Sequence, residues 1–180
     1  MRYRRAIVPG GTYFFTLNLA DRDSALLVSH IDHLRQAFKQ VKQRHPFAID
    51  AIVVLPDHLH ALWTLPQGDA DFAGRWQLIK AHFSRALPVS EYRNGARRNK
   101  RERGIWQRRY WEHLIRNDAD FRRHLDYIHY NPVKHGHAAT PIDWPHSSIH
   151  HHIRRGTVPP DWAATTTQGS GLLHSGWAEE

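Results

Sequence analysis

Two apolar runs, Phe47–Leu55 and His58–Leu65, stand only two residues apart, divided by Pro56 and Asp57. A link that short can join strands only as antiparallel neighbours, because a parallel pair needs a crossover of a dozen residues or more. The pair therefore predicts a hairpin of two adjacent central strands. The flanking segments follow the two expected periods. Thr12–Leu19, aromatic and β-branched behind a Gly-Gly turn, predicts a strand. Ile31 to Arg44 carries Ile31, Leu34, Phe38 and Val41 at helical spacing and stops before Pro46. Phe72–Leu87 predicts a second helix, Ile105–Arg116 a strand, and Asp118–Tyr130 a third helix ended by Pro132. The order β-α-β-β-α-β-α is that of an α+β, ferredoxin-like split βαβ fold: an antiparallel sheet with helices on one face, plus a C-terminal helix.

The 180 residues suit one domain, taken as 1–160, with 161–180, rich in Thr, Ser, Gly and Ala, as a flexible tail. The chain has no Cys, which excludes a disulfide framework, a thiolate metal site and a Cys nucleophile together. No apolar run approaches the length of a membrane span, and Arg2, Arg4 and Arg5 lead into Pro9-Gly10-Gly11 rather than an apolar signal segment. A cytoplasmic protein with no membrane partner is expected.

Net charge is +8, and it is concentrated. Between Arg93 and Arg109 stand eight bases and one acid, so this stretch supplies +7 of it. Such a cluster, with a basic insertion at about 91–104, is either an electrostatic footprint for a polyphosphate such as nucleic acid or a solvated loop.

Three His-x-His pairs occur among the 16 histidines: His58/His60, His135/His137 and His150/His152. Only the first lies in a strongly apolar segment, where two polar rings are costly without partners. On a strand, His58 and His60 share one face while Leu59, Ala61, Trp63 and Leu65 fill the other. The pair can grip one ion from a rigid support, or be two core-edge histidines bonded to backbone. In the third helix, Phe121, Leu125 and Ile128 form the apolar stripe, and Tyr127 lies one turn from Asn131 on its border. A phenol and an amide oxygen so placed can serve as nucleophile and cation ligand, or be a core-edge tyrosine and its neighbour.

Four ordered segments, His58-Leu59-His60 within 53–63, Trp106–Arg116, Tyr127-Ile-His-Tyr-Asn-Pro-Val-Lys134 and Asp143-Trp-Pro-His-Ser-Ser148, together resemble the REP-associated tyrosine transposases, chromosomal relatives of the single-tyrosine HUH transposases. The resemblance runs from about Arg4 to Trp162. It implies His58 and His60 as metal ligands, Tyr127 as the nucleophile, and Asn131 where insertion-sequence relatives place a glutamine ligand. Asp57 stands where many relatives have Asn. The implied enzyme is a metal-dependent DNA nickase and strand transferase using Mg²⁺ or Mn²⁺ and a 5′-phosphotyrosine intermediate. Its implied partner is single-stranded DNA beside repetitive extragenic palindrome hairpins, with a flanking tetranucleotide, bound by a monomer or homodimer. Arg4, Arg5, Lys80, Arg85, Arg108 and Arg109 are the candidate phosphate contacts. Phe14, Phe15, Trp63, Trp76, Trp106, Tyr110 and Trp111 are candidate stacking surfaces, most of them expected in the core. A hairpin-binding protein without cleavage and a hydrolytic metal nuclease are the alternatives.

Overall fold

In the computed structural model, which describes residues 6–89 and 103–162, strands β1 (Thr12–Asn18), β2 (Ala48–Val54), β3 (His58–Thr64) and β4 (Trp111–Leu114) form one antiparallel sheet. The strand order is β2-β3-β1-β4, the split βαβ arrangement expected. Helices α1 (Leu26–Ser29), α2 (Ile31–Arg44), α3 (Phe72–Ala86), α4 (Asp118–Lys134) and α5 (Ile149–Arg154) complete the described fold, with a 3₁₀ turn at Pro141–Asp143.

Alternation along β1 and β3 sorts the two sides of the sheet. Tyr13, Phe15 and Leu17, with Leu59, Ala61 and Trp63, join the apolar faces of α2 and α3 in the larger core. Leu34, Ala37, Phe38 and Val41 of α2 recur at helical spacing and are buried there. Trp63 and Trp76 stack at its centre, ring centroids 4.0 Å apart and both fully buried; truncating either to Ala should cost about 3–5 kcal/mol. The opposite face is smaller: Phe14, Ala51, Val53 and Leu62 pack against Ile128 of α4.

Three expectations need revision, and three short elements went unread. β2 is an edge strand, not a central one. It tolerates its apolar run because helices cover both faces and residues 146–148 close the open edge, with Val54 N–H donating to the His146 carbonyl (2.9 Å) and Ser148 N–H to that of Ile52 (2.8 Å). β4 is shorter than Ile105–Arg116, because exposed Gln107, Arg108 and Arg109 have no face to bury; only a bridge from Trp106 to Leu19 remains. α4 does not stop before Pro132 but runs through it to Lys134. The proline removes a single helical bond, Asn131 and Pro132 are both buried, and His135 N–H still reaches the Asn131 carbonyl at 3.1 Å. Finally, α1, α5 and the 3₁₀ turn carry too little periodicity to be read from sequence. Arg4, Arg5, residues 91–102 of the basic stretch and the segment 163–180 lie outside the described residues. Among the described residues, no helix is long and apolar enough to cross a membrane.

Candidate active site

Cross-strand register assembles the first half of the site. Thr16 of β1 pairs with His60 and Asn18 with His58, so both imidazoles project from the sheet face that α4 covers. Leu59, Ala61, Trp63 and Leu65 enter the larger core on the other face, as the alternation predicted. His58 and His60 are each 3% exposed, with ring centroids 5.1 Å apart. Each has its Nδ1 tied down. His58 Nδ1–H donates to Asp57 Oδ1 at 2.7 Å, and Asp57 is itself held by Arg22 Nε at 2.9 Å. His60 Nδ1 lies 2.8 Å from Thr16 Oγ1; in the tautomer whose Nδ1–H donates to Thr16, Nε2 keeps its lone pair. Burial, reinforced by His58, His135, Lys134 and Arg22, holds the His60 pKa well below 6.5, so the ring is neutral.

The second half comes from α4. Asn117 caps the helix by accepting the Asp120 N–H at 2.9 Å, and Asp118 and Asp120 occupy its positive first turn. Tyr127 stands edge-on to His60, centroids 5.1 Å apart, and also against Phe14 at 5.8 Å. Lys134 Nζ lies 5.0 Å above the Tyr127 ring and 3.4 Å from its hydroxyl. Asn131, one turn from Tyr127, is fully buried.

Whether this donor set suits a cation can be tested on its polar atoms. His60 Nε2, Asn131 Oδ1 and Asn131 Nδ2 are all buried with no hydrogen-bond partner among the described residues. A buried, unpaired polar atom costs roughly 1–3 kcal/mol, so a neutral imidazole nitrogen and an amide oxygen left in this state fit a ligand that is bound during function. Two imidazoles and an amide oxygen with no thiolate suit Mg²⁺ or Mn²⁺.

The candidate DNA contacts are dispersed. Arg108 and Arg109 are exposed just before β4. Lys80 and Arg85 lie on α3, across the sheet from Tyr127; Lys80 Nζ donates to the Gln107 carbonyl at 2.8 Å, and Arg85 lies 3.3 Å from His82 Nδ1. Arg103 donates to the carbonyls of Ser84, Leu87 and Pro88 and so closes the C-terminal end of α3. Of the candidate stacking rings, Phe15, Trp63 and Trp76 are wholly in the core, whereas Trp111 is 42% exposed.

Sequence reasoning missed two features. His135, set aside with His137 because that pair lies outside any strongly apolar segment, lies against His58 at 5.0 Å, one turn beyond Asn131. The spacing Tyr127, Asn131, His135 is the signal that could have found it, once the helix is allowed past Pro132. The buried line of α4 is also not the apolar stripe alone: Asp120, His124, Ile128 and Asn131 are buried, while Phe121 and Leu125 are partly so. Asp120 survives there because His113 Nε2 (2.9 Å), the Arg116 N–H (3.1 Å) and Arg123 (3.1 Å) reach its carboxylate. Burial pushes that carboxyl up, but these bonds outweigh it and bring its pKa to about 2. The ligand atoms of His113, Asp120 and His124 lie within 4.8 Å of one another, a second group of metal-ligating type.

The family model described as "Transposase IS200 like" matches residues 9–131, a span that ends on Asn131. A REP-associated tyrosine transposase of Escherichia coli (strain K12) is 47% identical over 168 residues, covering 93% of this chain and 94% of the relative. A Haemophilus influenzae protein is 49% identical over 162 residues, covering 89% of this chain and 92% of its own. The fold is also similar to a solved structure of a REP-associated tyrosine transposase bound to a REP hairpin: TM-score 0.80, 47% identity, 91% of each chain covered.

Proposed function

Because the chain belongs to the REP-associated tyrosine transposases, within the IS200-like transposase family, and is thus an enzyme acting on DNA, we propose that it nicks and rejoins single strands at repetitive extragenic palindrome hairpins. In this reading Tyr127 is the nucleophile, and His58, His60 and Asn131 hold a divalent cation. One juxtaposition carries it: the Tyr127 phenol stands against His60, whose Nε2 is buried with no hydrogen-bond partner, as are the polar atoms of Asn131.

Tyr127 Oη attacks the phosphorus of a phosphodiester. Its bond to phosphorus forms as the P–O3′ bond breaks; the phenol gives up its proton and the departing O3′ gains one. The products are a free 3′-hydroxyl and a 5′-phosphotyrosine. One phosphodiester has replaced another, so a 3′-hydroxyl can reverse the step without an external energy source. A divalent cation held by His58, His60 and Asn131 would supply Lewis-acid stabilisation of phosphate charge, with Mn²⁺ the better match to two imidazoles.

The chain's own contribution is positional. β3 presents two imidazoles fixed by Asp57 and Thr16, and α4 sets the phenol and the amide one turn apart on a rigid helix. Lys134, beside the phenol oxygen, puts positive charge where the phosphate must approach. The similar structure carries a REP hairpin, which supports a hairpin with single-stranded flank as the partner here, and exposed Arg108 and Arg109 add phosphate-binding charge.

The test is incubation with a labelled hairpin oligonucleotide from the chain's own genome in Mn²⁺ buffer. A covalent protein–DNA adduct whose trapped peptide contains Tyr127 is expected. Cleavage to a 5′-phosphate without adduct would indicate a hydrolytic nuclease, and binding without cleavage a hairpin-binding protein.

A further inference from the structure

Register brings a guanidinium to the end of the row that carries the two imidazoles. Asn18, the last residue of β1, pairs with His58 across the sheet, and by alternation it shares the α4 face with Phe14 and Thr16. The chain leaving β1 stays beside the Pro56-Asp57 link, where Leu19 N–H donates to the Asp57 carbonyl at 2.8 Å. It then turns, with Asp21 Oδ1 accepting the Asp23 N–H at 3.1 Å. Arg22 stands in that turn.

Its guanidinium is held at two points. Nε–H donates to Asp57 Oδ2 at 2.9 Å, and Nη1–H donates to the Asn18 amide oxygen. Asp57 uses its other oxygen, Oδ1, to accept His58 Nδ1–H at 2.7 Å. These bonds occupy two of the five N–H groups that an arginine offers. The Arg22 side chain is 46% exposed and that of Asp57 only 14%, so the carboxylate is largely covered while the guanidinium reaches solvent. A carboxylate alone here would repel the phosphates of a DNA strand. Arg22 offsets that charge and has further donors in a fixed plane, the geometry that suits a phosphate. Asp57 and the imidazole ring separate it from the Nε2 edge of His58, which favours a neighbouring linkage over the attacked one. Sequence reasoning passed over it, because an arginine between Asp21 and Asp23 reads as part of a neutral turn.

We propose that Arg22, tethered to His58 through Asp57 and to β1 through Asn18, is a phosphate-binding residue of the active site, meeting a phosphate that adjoins the one Tyr127 attacks. The inference rests on the DNA-nicking reading above and adds the residue that fixes the neighbouring linkage.

The test is a methylphosphonate scan, which removes one phosphate charge at a time along a hairpin oligonucleotide with a four-nucleotide unpaired flank. Affinity is measured for the wild-type chain, Arg22→Gln and Arg22→Lys in EDTA buffer, so that binding is read apart from cleavage. Arg22→Gln should weaken the unmodified hairpin roughly three- to tenfold and reduce the slope of log K against log salt by about 0.7 to 0.9, the loss of one phosphate contact. Arg22→Lys, which keeps the charge, should keep the slope. In the wild type one methylphosphonate position should cost as much as Arg22→Gln, and the two together no more than either alone. If Arg22 only fixes Asp57, Arg22→Gln lowers Mn²⁺ affinity, read from the free-ion electron paramagnetic resonance signal, while the salt slope stays that of the wild type. That result, or methylphosphonate penalties that add to the Arg22→Gln loss at every position, overturns the contact. Failure of the nicking reading is separately visible: a wild-type chain that shows the Arg22-dependent linkage but forms no adduct in Mn²⁺ buffer loses the nuclease assignment and keeps the contact.

Discussion

The phenol of Tyr127 stands edge-on to the imidazole of His60, ring centroids 5.1 Å apart, although one belongs to a helix near the end of the fold and the other to its central hairpin. That approach makes the role of the single phenol oxygen open to a clean substitution. Tyr127→Phe removes one atom and leaves the ring against Phe14 and His60. It should bind the hairpin with near wild-type affinity and form no covalent adduct, whereas Tyr130→Phe should still form one. Mass spectrometry of the trapped peptide reads the result; an adduct on Tyr130 would move the nucleophile there.

The Nδ1 partners of the two histidines should govern cation affinity. Asp57→Ala leaves His58 without its fixed orientation, and Thr16→Val does the same for His60. Each should weaken Mn²⁺ binding roughly 10- to 100-fold, measured by the loss of the free-ion electron paramagnetic resonance signal. Wild-type affinity in both variants would remove His58 and His60 from the ligand set.

Arg108 and Arg109, exposed beside Trp111, should contribute charge rather than base reading. Replacing both with Gln should weaken binding across sequences and flatten the slope of log K against log salt by about one per lost phosphate contact. An unchanged slope would show that they face solvent only. Arg103→Gln should instead destabilise the end of α3, since its guanidinium is spent on the carbonyls there.

Acid should weaken the fold through buried neutral histidines. Burial, with His152 and His150 nearby, lowers the His129 pKa from 6.5 to about 3. Below pH 6.5 the unfolded chain takes up this proton while the folded chain does not. The stabilisation is therefore complete above 6.5 and is lost progressively as the pH falls toward 3. His129→Gln, which can keep the bond to Ser148, should remove about 2 kcal/mol of the stability difference between pH 7.5 and pH 5, measured by urea unfolding. Asp120 has the opposite origin: its carboxylate stabilises above 3.8 and loses that contribution as the pH falls through about 2, so it is silent in this comparison.

Much of the arrangement was legible in the chain because it follows from period and punctuation. The two-residue link at Pro56-Asp57 set the hairpin, alternation from Leu59 to Leu65 put His58 and His60 on one face, and the spacing of Tyr127 and Asn131 put them on one side of a helix. These are local consequences of backbone geometry, and local geometry is what sequence encodes most directly.

What the tertiary structure alone decided is which faces meet. Nothing in the period of α4 says that its inner line contains Asp120, His124 and Asn131, because hydropathy assigns charged and amide groups to solvent. Asp120 and His124 are buried there because partners arrive from β4 and from the helix itself: His113, the Arg116 N–H and Arg123 reach the Asp120 carboxylate, and His124 Nδ1 lies 2.8 Å from the Asp120 carbonyl. His135 joins His58 only because the helix passes through Pro132, where burial outweighs the local preference to stop. Register, set by pairing across the sheet, then aligns Trp111, Thr16 and His60, three residues from three strands that no window of the sequence contains together.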